Sequence, residues 1–569
     1  MTDTLRDRIL HANETTDGSI YEDVISHNLK ETPNDGIHYT ETEIRDPYQK
    51  NFPYVQGSPI VFYLSSDKFD VDVFDKSFIS MTAQATFTVS NIPSIGSSDL
   101  EQTLAKHQYV WVGLKASSHL IRQYQVWFNN VLVSTSLQSQ AIFESFVYYA
   151  NKSRNQLANK RYRYSDYKEV QEMDNSFVGF YVSLYELANS NGTITKSFPV
   201  VLKYDDLLPF QTLDIYPRSI FGTIKIEMVM SNEGFVWCPI NPVYSIAAAV
   251  ESGEIDASTT GLSEVLALIP STVSYLRRFQ QQGLSGNASF ITSINSDTYA
   301  PTLTTNSITV AVASVSITAG RSNINGYRMM ESVKQRLRYE FMSGAVFAAV
   351  GQICDVQQST GAPSNYSLSA GLPTRFNHTT DITLLFPSSY YSRTVFQNIA
   401  ANNFQVRIGE RNFPERSDIN TLSNEFHEMM IDASDFDSIF EANDSFEHAL
   451  SDIPTDGTQW IQPRTDNTNF LVNFNLERES YGSRNVFFDG LHNSSLDVNI
   501  TSVPIYQAYN PYGEGSLAPY IVCINEMYHI FSLTPNGAAV YQWVVNHTYE
   551  EAKNNRSIDA YNAPNILYA

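Results

Sequence analysis

The side chains most suited to chemistry are few, and their spacing argues against a catalyst. His427 and Glu428 lie in a stretch with helical spacing, Leu422 to Ile431, where an imidazole and a carboxylate could hold zinc and activate water. A zinc-protease helix needs a second histidine four residues after the first, so that both imidazoles share one face. Ile431 occupies that position, and the pair reads as part of a surface helix. The acidic run Asp432, Asp435, Asp437, Glu441, Asp444 and Glu447 could offer oxygens to calcium. It has neither the glycine nor the ligand order of an EF-hand loop, and it reads as a solvated helix face. Lys160-Arg161-Tyr162-Arg163-Tyr164 alternates cations with aromatics, as some single-strand binders do, against the plainer reading of a solvated loop or exposed strand. Cys238, Cys354 and Cys523 include no CxxC pair, so neither a zinc ribbon nor a disulfide framework is expected. Cys238 and Cys523 sit in apolar runs and are expected as buried free thiols. There is no GxSxG elbow, no GxxxxGK[ST] loop and no GxGxxG turn. The sequence assigns no catalytic, cofactor-binding or metal-ligating residue, and no cofactor.

The elements that would carry such residues are strands. The chain is 42% hydrophobic and 13% aromatic, with 34 Tyr and 33 Phe, which favour the pleated, half-buried surface of a sheet. Its charged content of 17% is below the usual ~25%. A formal charge of −23 argues against a broad phosphate-binding surface, which needs clustered Lys and Arg. Little or no direct nucleic-acid binding is expected. The first 21 residues lack the apolar core of a secretory signal, so export is not expected. No run approaches the roughly 18 to 20 apolar residues of a membrane-spanning helix. The Asn-x-Ser/Thr triplets at Asn191, Asn377 and Asn499 are expected from composition.

Alternation marks strands at 60–64, 81–89, 109–114 and 125–133, the last with the turn Asn129-Asn130 inside it. Ile142, Phe143, Phe146, Val147 and Ala150 fall at helical spacing and predict a helix from about Gln138. Strands are then expected at 176–187, 197–204, 221–230 and 235–238. A looser stretch follows, with a helix at 262–279 that Pro270 should kink. Ile308-Thr309-Val310-Ala311-Val312 would open a second barrel, and the apolar parity flip at Val315 and Ile317 is the mark of a bulge. Further strands are expected at 381–386, 404–408, 470–476, 496–500 and 520–524, with helices at 422–431 and 436–450. The pattern is thus written twice: all-β with helical insertions, in two tandem β-sandwich domains of roughly 200 residues each.

Pro59-Ile60-Val61-Phe62, Phe69-Asp70-Val71-Asp72, Phe78-Ile79, and Val126-Trp127-Phe128-Asn129-Asn130 with the Glu144-Ser145-Phe146 helix resemble the opening of double jelly-roll major capsid proteins. The similarity is to those of polintons, adintoviruses and virophages in particular, within the wider PRD1–adenovirus lineage. Leu207-Leu208-Pro209-Phe210 and Phe221-Gly222-Thr223-Ile224-Lys225-Ile226 resemble the closing strands of that family's first jelly roll. Asn473-Phe474-Asn475-Leu476-Glu477-Arg478 and Phe488-Asp489-Gly490-Leu491 resemble its late strands. Together these motifs cover about 60 to 545.

The resemblance implies two tandem eight-stranded jelly-roll domains, a first at 51–244 and a second at 301–545. An N-terminal arm (1–50), a connector (245–300) and a C-terminal tail (546–569) would complete the chain. It implies a hexon-like structural protein and no enzyme. Homotrimers would form pseudo-hexagonal capsomers contacting neighbouring capsomers and penton and minor or cement proteins. The location would be an icosahedral virion shell around a DNA genome, assembled inside the host cell. The helices near 138–155 and 436–450 would be insertions at subunit contacts or towers. Two rival readings stay open. One is a glycan- or receptor-binding β-sandwich, a viral spike or lectin-like module using aromatic loops such as Tyr509-Asn510-Pro511-Tyr512-Gly513 or Tyr390-Tyr391. The other is a β-rich hydrolase with an Asp/Glu acid–base pair standing roughly 5 to 10 Å apart.

Overall fold

From Ile79 to Val89 every second side chain is buried, so one face of a long strand, Val71–Ser90, belongs to a core. That periodicity recurs in shorter strands and gives an antiparallel protein with short helices between sheets. The computed structural model describes residues between 38 and 544, leaving aside short stretches and the longer ones 151–178, 257–284, 430–469, 477–495 and 505–518. The expected helices at 262–279 and 436–450 and the Phe488–Leu491 motif lie outside the described residues, as do six of the ten residues of the helix expected at 422–431, where Glu425, Phe426 and Met429 are helical.

The wiring is plainest in the second half. Among the described residues its first eight strands, in chain order, are Phe347–Gln358, Leu368–Thr374, Thr379–Leu385, Ala401–Ile408, Arg411–Phe413, Val472–Asn475, Leu496–Pro504 and Tyr520–Leu533. One sheet runs first, eighth, third, sixth, and the other second, seventh, fourth, fifth. A chain that interleaves eight antiparallel strands this way forms a jelly roll, two Greek keys rolled over one core. Ala539–Val544 adds a ninth strand beside the eighth.

The first half repeats the central part of that order. Its early strand Pro59–Leu64 pairs with the late strand Ile224–Met230, which pairs in turn with Ile121–Phe128. In the facing layer, Val71–Ser90 lies beside Thr193–Lys203. Val131–Ser136 extends the first of these sheets, and Phe235–Pro239, Tyr109–Leu114 and Gly179–Ser183 form a further three-stranded sheet. The expected turn at Asn129 is present, with φ at +46°.

Three expectations change. Ile308–Val312 does not open the second barrel: it belongs to the 28-residue strand Pro301–Arg328, which runs back along Val71–Ser90 from Thr309 opposite Ser90 to Tyr327 opposite Val71. Alternation specifies a strand but not its partner, and here the partner lies more than 200 residues earlier. The same strand pairs with His38–Arg45 and Ser285–Ile294, so the expected arm and connector both contribute to the first sheet system. The bulge falls where parity flips, between Val312 and Ser314. Finally, the expected strand 176–187, described from Gly179 onwards, is a strand over Gly179–Ser183 and ends there. The Ser183 hydroxyl then accepts from the Glu186 N–H and starts the helix Leu184–Asn189.

Two helices absent from the periodicity reading are Asp99–Lys106 and Glu331–Met342. The former opens on a capping box, Ser98 with Glu101, whose S-x-x-E signature is present in the sequence. The latter follows Arg328 and leads directly into the second jelly roll at Phe347.

Candidate functional site

Among the described residues, no group of three or more His, Cys, Asp or Glu side chains converges as a metal site would require. His427–Glu428, the acidic run 432–447, Lys160–Tyr164 and the aromatic loops at 390–391 and 509–513 lie outside those residues. Cys354 and Cys523 are buried free thiols, as expected for Cys523, and burial pushes the Cys523 thiol up to about 12. Cys238 stands in a strand opposite Trp111. Buried polar chemistry concentrates elsewhere, at the joint between the two sheet systems, which the sequence reading did not single out.

One side of the joint is aromatic. The first half supplies Phe128, Tyr216 and Phe221, and the linking helix Glu331–Met342 supplies Phe341. The second half supplies Phe347, Phe531 and Tyr541. Phe128 lies 5.1 Å from Phe531 and 5.3 Å from Tyr541 between ring centroids, and Phe221 lies 4.9 Å from Phe341 and 5.6 Å from Phe531. Such spacings are those of favourable stacked, tilted and edge-to-face ring pairs, worth roughly 0.5–1.5 kcal/mol each beyond burial. Gly222 makes the turn that presents Phe221. Its φ is +103°, and a Cβ there would collide with the Asn129 amide, which accepts from the Thr223 N–H at 3.1 Å.

The other side is built on the helix Gln140–Ala150, which the spacing predicted from about Gln138. It packs within the chain: Phe143, Val147 and Leu208 of the first half share one buried cluster with the core of the second jelly roll. Phe143 meets Tyr520 at 4.5 Å and Phe396 at 6.3 Å. The Arg393 guanidinium stands over the Phe143 ring at 5.7 Å and pairs with Glu233 at 2.6 Å, while the Arg393 N–H donates to the Glu233 carbonyl. The Thr394 hydroxyl donates to the Gly234 carbonyl at 3.1 Å. Side chains and backbone of both halves are therefore stitched across one boundary.

Among the described residues, two buried carboxyls and a buried imidazole stand at or near this boundary. The Glu144 carboxylate accepts the Tyr124 hydroxyl at 2.7 and 2.9 Å and the Leu208 N–H at 2.9 Å; burial raises it to about 7 against these donors. His529 is pushed down to about 4 by burial, with its Nδ1 2.6 Å from the Tyr541 hydroxyl. Its ring lies against Gly351, where a Cβ would approach Nε2 to 2.0 Å. Asp72 is raised to about 7 by burial, opposed by Arg218, whose Nε donates to it at 3.1 Å. Beside it, Asp70 holds Lys334 and the Met329 N–H, which anchors the start of the linking helix.

No family model matches the chain. No curated protein matches it either. Solved structures do. The PBCV-1 virus capsid aligns over 90% of this chain and 97% of its own at 9% identity, TM-score 0.43. The Sputnik virophage aligns over 90% of both at 10% identity, TM-score 0.42. The mavirus major capsid protein aligns over 90% of this chain and 92% of its own at 12% identity, TM-score 0.40. By its own strand order, this chain is a double jelly roll, two such units in tandem joined by a shared buried boundary.

Proposed function

We propose that the chain is a shell-forming structural protein, a hexon-like major capsid protein. The observation that carries this reading is the repeated jelly-roll order within one chain, with the two copies fixed against each other by the Phe143 and Phe531 contacts. Three copies around an axis would place six rolls about a common centre, a pseudo-hexagonal block suited to tiling an icosahedral shell. Head-to-tail contacts that close by rotation generate such a ring.

In this reading the partners are two further copies, neighbouring capsomers, and penton and minor or cement proteins. The location is the virion shell, assembled in the host cell around a DNA genome. The net charge of −23 favours contact with that genome through other components. We put the division into rolls at the linking helix Glu331–Met342; the pairing of the strands before it with the first sheet system, and of those after it with the second, supports this.

Negative-stain electron microscopy of the purified full-length chain, with light scattering for mass, tests the proposal. Threefold particles of three chain masses with a pseudo-hexagonal outline are expected. Two-lobed monomers at every concentration tried would overturn the capsid reading and leave the fold.

A further inference from the structure

We propose that the joint between the two jelly rolls is a proton-controlled latch, closed while Glu144 carries its proton and loosened when the proton leaves. The inference goes beyond the assembly reading and stands on the joint alone.

Glu144 is the one charged residue in the helix Gln140–Ala150, and it is 4% exposed in the boundary cluster that contains Phe143, Val147, Leu208 and Cys354. Among the described residues it has no ion-pair partner. Its partners are two neutral donors, the Tyr124 hydroxyl and the Leu208 N–H. Every element packed around it offers a neutral or already engaged group. The turn Ser117–Leu120 meets the helix through the Ser118 and Ser145 hydroxyls and carries buried His119. The strand Phe347–Gln358 brings Cys354, whose thiol is pushed well up by burial and by Glu144 itself, followed by Asp355. The strand Tyr520–Leu533 brings Cys523. The turn before Leu208 brings Asp206, which accepts from the Lys203 N–H. Arg393, nearby over Phe143, is paired with Glu233.

A carboxylate so buried, with no counter-charge among the described residues, is costly to ionise, so ionisation favours any state in which the second roll draws away and lets water in. The sign is that of a raised acid. The closed joint binds the proton more tightly than the open one, so opening becomes easier as pH rises from the ordinary carboxylate range towards 7, by roughly tenfold per pH unit for one proton, and levels above it.

Cys354 lies in the joint and supplies the readout. Full-length protein would be labelled with iodoacetamide from pH 5 to 8, the modification of Cys354 followed by peptide mass spectrometry, and the rate divided by that of Glu144→Gln at the same pH. The division cancels the intrinsic reactivity of the thiol. Set to one at pH 5, the ratio should climb at least tenfold by pH 7 and then level. A flat ratio across the range would overturn the latch. Should Glu144→Gln fail to fold, Tyr124→Phe takes its place. It removes a donor that favours the ionised carboxylate, so the levelling point should move to higher pH, and an unmoved point would equally overturn the proposal.

Discussion

At the scale of single residues, the buried ionisable groups pull stability in opposite directions with pH. His529 has a folded-state value near 4 against an ordinary 6.5, so between those values the unfolded chain binds more protons than the folded one. Its contribution is whole above about 6.5 and is lost as pH falls towards 4. Glu144 and Asp72, both raised, behave the other way: what they contribute is whole in acid and is lost as pH rises towards 7. The His529 part is isolated by difference. Between pH 7 and pH 4.5, wild type should lose up to about 3 kcal/mol more than His529→Gln, measured by urea unfolding at both pH values. Equal losses would mean that His529 is protonated in the fold at little cost. None of these groups was legible as special in the sequence. In the sequence Glu144 is one residue of a helical motif and His529 one of an apolar run, because burial of a polar side chain depends on what folds over it.

At the scale of elements, legibility followed the range of the interaction. The turn at Asn129, the strand Ile224–Met230 and the bulge near Val315 are local, and each is where alternation and turn chemistry put it. The helix Gln140–Ala150 was equally readable from its spacing, but its role was not: an apolar stripe says that a face is covered, not which surface covers it. For the same reason the strand at Ile308–Val312 was recognised and given to the wrong sheet. The capped helices after Ser98 and Ser183 carried their S-x-x-E signal in sequences too short for periodicity to register. With its true neighbours known, the helix Gln140–Ala150 yields a sharp expectation. Phe143 is 1% exposed between Tyr520 and Phe396, so Phe143→Ala should cost about 3–5 kcal/mol of unfolding free energy, read by denaturant titration. A loss below 1 kcal/mol would mean that the boundary collapses around the missing ring and is not held by it.

At the scale of the whole molecule, the question is whether two jelly rolls amount to one body. One apolar cluster runs without a break from Ile60 in the first strand of the first roll to Tyr541 in the last described strand of the second. A second cluster includes Phe143, Val147 and Leu208 of the first roll with the core of the other. If either roll opened alone it would expose faces of Phe128, Phe221 and Phe531 together. At about 25 cal/mol per Å² of apolar surface, even a few hundred Å² of that face is comparable to the entire stability of a small domain. The rolls should therefore unfold together. Tryptophan supplies a probe for each: Trp111, Trp127 and Trp237 stand in the first roll, and Trp543 in the ninth strand of the second. In the double variant Trp460→Phe/Trp543→Phe, whose remaining tryptophans all stand in the first roll, fluorescence and far-ultraviolet dichroism should trace one coincident transition in urea. Two separated transitions would mean that the boundary is a contact between independent domains, free to hinge, and a rigid six-roll block could not be built from it without help from a neighbouring chain.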